Sequence, residues 1–323
     1  MVASLAILVI LAVVLIPVVM IGVTARAARR PKPVGDEDHR ITSPSSPGYK
    51  DPFNDSARPN PFTPPLNQSF DYNGRDRIRG INLGGWLVLE PFITPKIFEQ
   101  VIPGYETAPP VVDEWTLTER LGPAEAKRQL KEHYETFITE NDFKKIADMG
   151  FNHVRIPTGH WALQVFPGEP FVPHLSWQYL LKGIQWARKY GLRVMVELHT
   201  APGSQNGWNH SGREGQVGFL NGTEGQLNAE RTIKIVMDMI QFFDRPEWSH
   251  VVPIFGVLNE PAMMKIPEDD VKEWYQKSYD TIRKTLGPGK GPLLTYHDGF
   301  LPLPRWKGFF GKRFDRTVLG IYI

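Results

Sequence analysis

The apolar run "VVPIFGVL" ends on Asn259, Glu260 and Pro261. A carboxylate at the end of a strand, partly shielded from water, has a raised pKa and keeps a proton near neutral pH. It can then act as a general acid, while the amide of Asn259 hydrogen-bonds a hydroxyl beside the reacting atom. Taken alone, an Asn-Glu pair serves equally well as a helix cap. Three more polar residues end apolar runs in the same way: Glu90 in "GGWLVLEP", Arg155 in "VRIP" and His199 in "ELHT". An Arg in that position orients or charges a catalytic carboxylate, with a structural ion pair as the plain alternative. No second His or carboxylate stands at ligand spacing beside His199, so hydrogen bonding to substrate is a better reading of it than metal binding.

The loop "APGSQNGWNHSG" (201–212) is dense in small and amide residues. Gly and Ser let a ligand approach the backbone; Gln205, Asn206 and Asn209 supply donors and acceptors; Trp208 offers a flat face. That mixture suits an uncharged polyhydroxy ligand, although an ordinary polar surface loop has a similar composition.

Positioning these residues requires strands. "RIRGINLGGWLVL" (77–89), "FNHVRIP" (151–157), "LRVMVELHT" (192–200), "VVPIFGVLNE" (251–260), "PLLTYHDGF" (292–300) and "RTVLGIYI" (316–323) are near-continuous apolar runs, as in parallel strands buried on both faces. Helices alternate with them. "TENDFKKIADMG" opens on a Thr139-x-x-Asp142 cap and stops at Gly150; "SWQYLLKGIQWARKYG" carries Leu180, Leu181, Ile184 and Ala187 on one face. "NAERTIKIVMDMIQFF" and "EDDVKEWYQKSYDTIRKTLG" have the same spacing. This alternation implies a parallel sheet with right-handed crossovers. A doubly wound sheet would carry a Gly-rich phosphate loop after its first strand, and "INLGGWLVLEP" is not one. The polar residues gather instead at the C-terminal strand ends, where a (β/α)8 barrel keeps its active site.

The 323 residues carry a formal charge of +2, with no Lys/Arg run in the body of the chain, which excludes nucleic acid as a partner. Absence of cysteine removes disulfides and thiolate chemistry. Residues 1–25 carry no charged side chain, and "LAILVILAVVLIPVVMIGV" is long enough to cross a bilayer. A cleavable signal peptide, with "ARA" at its end, would have a shorter apolar region behind a basic segment, so an uncleaved anchor is the expectation. Arg26, Arg29, Arg30 and Lys32 would put that flank in the cytosol. The Asn-x-Ser/Thr sequons at Asn54, Asn67, Asn209 and Asn221 point the other way, and a basic cytosolic segment ahead of residue 1 would reconcile the two. Nine prolines in residues 31–65 predict a disordered stalk. The expected organisation is an anchor at 1–25, a stalk at 26–74 and a catalytic barrel at 75–323.

"RGINLGGWLVLEPFITP", "VRIPTGHWAL", "ELHTAPGSQNGWNHSG" and "VLNEP" together resemble the fungal exo-β-1,3-glucanases of glycoside hydrolase family 5. An N-terminal anchor and Pro-rich stalk are similar to their membrane-bound, cell-wall-facing form. The resemblance spans about residues 75–319. It implies a retaining mechanism on a (β/α)8 barrel, no cofactor, a monomer, and β-1,3-glucan as substrate. It makes Glu260 the proton donor and general base, flanked by Asn259. Arg155 would support the nucleophile, His199 would assist, and Glu90 would hold the terminal glucose. Trp208 and His210 fall where the family has an aromatic wall and a sugar-binding amide, and their identities depart from those of the secreted enzymes. The implied location is the plasma membrane, single-pass type II, with the barrel facing the wall.

Retaining hydrolysis needs a second carboxylate about 5–5.5 Å from the first. In the family it is a Glu on strand seven, and six strands are counted here. Glu268, Asp269, Asp270, Glu273 and Asp280 belong to a helix on the outside, and of the remaining Asp298 and Asp315 only Asp298, near the end of strand five, can stand in. Gly320 to Ile323 depart from the family's sixth strand. The expectation is a chain that lacks its nucleophile and is inactive as written. A non-catalytic, membrane-tethered glucan binder and a different β-glycan hydrolase of the same family are the alternatives.

Overall fold

A computed structural model describes residue 53 and residues 55–99, 110–311 and 313–321. The expected anchor, the first half of the stalk and the Asn54 sequon lie outside the described residues. No described helix is long and apolar enough to cross a membrane.

The elements alternate in chain order: β1 (Gly80–Asn82), α1 (Pro95–Glu99), α2 (Glu114–Thr136), α3 (Glu140–Asp148), β2 (His153–Thr158), α4 (Leu175–Lys189), β3 (Arg193–Leu198), α5 (Gly225–Phe243), α6 (Pro246–Ser249), β4 (Ile254–Gly256), α7 (Glu268–Leu286), β5 (Leu293–His297) and β6 (Thr317–Gly320). All six strands pair in parallel in sequence order. The register sets Asn82 beside Arg155, Glu197 beside Gly256, and Gly256 beside Thr295. Residues of all five pairings line one interior cavity of about 570 Å³, from Gly80 and Asn82 through Arg155, Glu197 and Thr295 to Val318. The sheet is therefore curved round a common interior, as in six-stranded part of a (β/α) barrel, and β1 and β6 are its edges among the described residues.

The strands are shorter than the apolar runs that announce them. β1 keeps three of the residues in 77–89, and the remainder turns into the loop that carries Glu90. Leu87, Val88 and Leu89 are fully buried without pairing as a strand, so their hydrophobicity reports burial under the loop. α2 was not signalled by a clean apolar stripe, because it bends: Gly122 at φ 72° and ψ 165° breaks it ahead of Pro123. Its start is well marked, with Asp113 Oδ1 accepting from the Thr116 amide at 2.7 Å. α3 opens as expected, with Asp142 Oδ2 accepting from the Thr139 amide at 2.9 Å.

Residues 55–74, expected as part of the disordered stalk, instead form a strap across the N-terminal ends of the strands. Arg193, at the start of β3, is buried and donates to the carbonyls of Pro64, Pro65 and Gln68 at 3.0, 2.8 and 3.1 Å. Proline-rich backbone leaves its carbonyls free of internal hydrogen bonds, and a buried guanidinium takes up several at once. Asp55 is buried and accepts from Arg188 Nε and His250 Nδ1, both at 2.9 Å. Leu66 joins the main core, and Phe70 packs edge-to-face on His153 at 4.8 Å. The strap passes so near Gly191 that a Cβ there would lie 2.3 Å from Arg58 Cα.

Candidate active site

The parallel register brings the C-terminal strand ends to one rim. Arg155 does not end β2, as the apolar run suggests, but is its third residue, because pairing with β3 continues to Thr158; from there it joins three elements beneath the rim. Its Nη1 donates to Asn82 Oδ1 at 3.0 Å, and its Nη2 donates to Asn259 Oδ1 at 2.8 Å and closely to Glu197 Oε2. Glu197 also takes His199 Nδ1 at 3.0 Å on the same oxygen. Burial works to raise the Glu197 carboxyl, but Arg155 and His199 hold it down at about 2, so it is ionised. Sequence reading passed over both Asn82 and Glu197. The signal was there: Glu197 and His199 are two apart on one strand and face the same way.

Glu260 follows β4 in a left-handed backbone conformation, φ 45°, which a non-glycine residue adopts only when its surroundings impose it. Four hydrogen bonds do so. Asn206 Nδ2 donates to the Glu260 carbonyl at 3.1 Å. Gln205 Nε2 donates to the carbonyls of His199 and Asn259 at 2.8 and 2.9 Å, tying the ends of β3 and β4. Asn259 in turn donates its backbone amide to Leu198 at 2.9 Å. Burial pushes the Glu260 carboxyl up, His199 and Arg155 draw it down, and Glu197 and Glu90 push it up again; the net direction is upward. The second side-chain atom of interest is Asn259 Nδ2. It is buried, and no described protein group accepts from it.

Glu90 sits in the loop after β1, with Oε1 accepting from the Gly85 amide at 3.2 Å and its carbonyl accepting from Ile93 and Thr94 at 2.9 and 2.8 Å. Trp208 is half-buried, set edge-to-face against Phe300 at 5.3 Å and tilted to His210 at 5.6 Å. His210 Nε2 lies 3.3 Å from Glu260 Oε2. Of the loop amides expected to meet a ligand, Gln205 and Asn206 have no exposed surface. Asn206 spends its Oδ1 on the Trp208 amide at 2.9 Å and its Nδ2 on Glu260, so it acts here as a strut beneath the loop. Asp298 is buried, accepts from the Phe300 amide at 3.0 Å, and has its carboxyl pushed up by burial. A carboxyl held toward its neutral form is a poor nucleophile. The carboxylates at 268–280 lie on α7, where Glu268 pairs with Lys272 and Arg305 and Asp280 with Arg313. Among the described residues no group of three or more His, Asp or Glu side chains is disposed to hold a metal ion.

This arrangement supplies a protonatable carboxyl, an idle amide donor beside it, a fixed guanidinium–carboxylate pair behind it, and an aromatic wall. The model of the Cellulase (glycosyl hydrolase family 5) family matches residues 121–290. Proteins described as probable glucan 1,3-beta-glucosidase D are similar in sequence. The one from Aspergillus terreus is 47% identical over 272 residues, 84% of this chain and 31% of its own length. That from Aspergillus niger is 46% identical, over 84% of this chain and 32% of its own. The chain thus spans about a third of the length of the curated relatives it matches. Among solved structures, a rutinosidase from Aspergillus niger superposes with a TM-score of 0.67 at 21% identity, covering 78% of this chain and 70% of that one. The structure described as AoRut gives 0.65 at 24% identity, over 75% and 67%. At such identities the superpositions establish the fold.

Proposed function

The chain belongs to glycosyl hydrolase family 5, and from that membership we propose that it carries the acid/base half of a retaining, exo-acting glucan 1,3-β-glucosidase. The observation that carries this reading is the pair at the end of β4. Glu260 has its carboxyl pushed upward by burial, and the neighbouring Asn259 has a buried Nδ2 with no protein acceptor. An unmatched buried donor is costly, and a sugar hydroxyl at the reacting ring would satisfy it. Glu260 then protonates the departing glycosidic oxygen and, in the second step, takes a proton from water.

Glu90 and Trp208 are the proposed holds on the terminal glucose, one by hydrogen bonds and the other by its ring face. Arg155 and His199 serve the reaction through Glu197 and Asn259, whose positions they fix. The nucleophile is proposed to be absent from these 323 residues. Glu197 is locked by Arg155 and His199, Asp298 leans toward its neutral form, and neither is free to attack an anomeric carbon. Placement at the plasma membrane, with the barrel facing the cell wall, is part of the same proposal.

The test is release of glucose from laminarin by the 323-residue chain, with binding of laminari-oligosaccharides measured by calorimetry in parallel. Binding without turnover supports the reading. Robust turnover sinks the missing-nucleophile part of it. A second reading, a glucan binder that works without turnover, is favoured by the persistence of Glu90, Asn259 and Trp208 at the rim, and it predicts the same first result. Turnover by this chain joined to the C-terminal remainder of a full-length relative separates the two, glucose release supporting the acid/base reading and its absence the binder.

A further inference from the structure

The proposed acid/base lies beside His210, a position to which the family resemblance gives a substrate-binding role. His210 Nε2 is 3.3 Å from Glu260 Oε2, and the two side chains are 17% and 18% exposed. We propose that His210 is the positioning residue of the acid/base: its neutral imidazole stands 3.3 Å from Glu260 Oε2 without hydrogen-bond alignment and turns its Nε2–H onto that oxygen when the carboxyl ionises, leaving the other oxygen for the glycosidic oxygen and water. The inference rests on Glu260 being that acid/base.

The tautomer follows from the surroundings. His210 Nδ1 is buried and meets no described hydrogen-bond partner. A buried N–H without an acceptor costs more than a bare ring lone pair, so the ring proton belongs on Nε2. The charge follows too. Burial, then His199 and Arg155, hold His210 down at about 3 against a smaller opposing pull from Glu197. The ring is therefore uncharged across the range in which Glu260 works.

Its position is built in. His210 occupies the middle of a single 3-10 turn, Asn209–Ser211, with its ring 5.4 Å from that of His199 and 5.6 Å from that of Trp208. Ser211 Oγ donates to the Trp208 carbonyl at 2.6 Å, and the Gly212 amide donates to Asn209 at 3.0 Å, closing the turn.

The chemistry needs such a donor. Glu260 must hold a proton in the first step and release it in the second. The groups facing the pair are Glu90 from the loop after β1, Arg155 from β2, Glu197 and His199 from β3, and His297 from β5. Burial together with Glu197 and Glu90 favours the protonated carboxyl. A neutral donor on Oε2 favours the carboxylate by hydrogen bonding, without the lock of a full ion pair. The family resemblance implies a sugar-binding amide at this position; here the imidazole Nε2 comes within 3.3 Å of the carboxyl.

Two magnetic-resonance readouts on the 323-residue chain test this, and neither depends on turnover. With 15N-labelled histidine, the His210 signal, assigned by its loss in His210→Gln, is expected as the Nε2–H tautomer with bare Nδ1, uncharged down to pH 5. With δ-13C-labelled glutamate, the Glu260 signal is assigned by its loss in Glu260→Gln. Its midpoint is expected to rise by about one pH unit in His210→Phe and to return in His210→Gln, which restores a donor. An Nδ1–H tautomer, a His210 titration near its ordinary pH, or a Glu260 midpoint unmoved in His210→Phe overturns the proposal. Failure of the glucanase reading would show elsewhere, as a chimera of this chain with the C-terminal remainder of a full-length relative whose turnover of laminarin is indifferent to Glu260→Gln.

Discussion

At the scale of single residues, the site is governed by which charges are matched. Glu197 is 3% exposed and ionised, and Arg155 is its cationic partner. Removing one member of a buried pair leaves the other uncompensated, so Arg155→Met is expected to destabilise the fold by about 3–5 kcal/mol. Adding Glu197→Gln to the same chain should recover most of that loss in urea unfolding, because the orphaned charge goes with it. Glu114 is the opposite case. Its Oε2 accepts from the Leu89 amide at 3.0 Å, its Oε1 is buried without a described partner, and burial pushes the carboxyl up to about 8. Between the ordinary Glu range and pH 8 the folded chain binds the extra proton, so stability declines as pH rises through that window. Glu114→Gln keeps the acceptor and removes the titration. Its thermal midpoint is expected to match the parent at pH 5 and to exceed it at pH 8, by the equivalent of about 2 kcal/mol.

At the scale of elements, the rim depends on what is fixed at the opposite end of the strands. The strap at 55–74 closes that end. Arg188 of α4 and His250 beside α6 both reach for Asp55, and Arg193 of β3 holds the proline carbonyls. Asp55→Ala leaves Arg188 without its carboxylate, holding only the Glu247 carbonyl and the Trp248 and Phe53 rings, and should cost about 2–4 kcal/mol. Limited proteolysis gives the check: cleavage within residues 56–70 is expected to be slow in the parent and fast in the variant, with equal rates contradicting the packed strap. On the rim side the decisive element is the loop 201–212, whose buried amides stitch β3 to β4 and impose the left-handed turn at Glu260.

At the scale of the whole molecule, the placement of the sequons relative to the site makes a prediction. Asn67 and Asn221 are exposed, while Asn209 is half-buried in the turn that holds His210. A glycan on Asn209 would sit against Trp208 and close the rim. In material from a eukaryotic secretory host, peptide mass spectrometry is expected to find Asn221 and Asn67 occupied and Asn209 bare. Occupancy of Asn209 would contradict the position assigned to the substrate.

The sequence by itself determined the alternation of strand and helix, the parallel order, and the strand ends beyond which His199, Asn259 and Glu260 fall, whereas Glu90 lies in the loop after β1 and Arg155 inside β2. Those are local matters: burial on both faces writes itself as continuous apolar runs, and caps such as Thr139–Asp142 are short-range chemistry. Tertiary structure decided the rest. Whether Asn206 meets a ligand or braces Glu260, and whether His210 faces a sugar or the carboxyl, depends on side-chain directions set by residues distant in sequence. Arg155 and Glu197 are 42 positions apart, and no local pattern announces their pairing. The proline-rich strap gives the clearest case. Its composition has too little apolar surface to order itself, and it is ordered because Arg193 and Arg188, far along the chain, bring buried charges that need its oxygens.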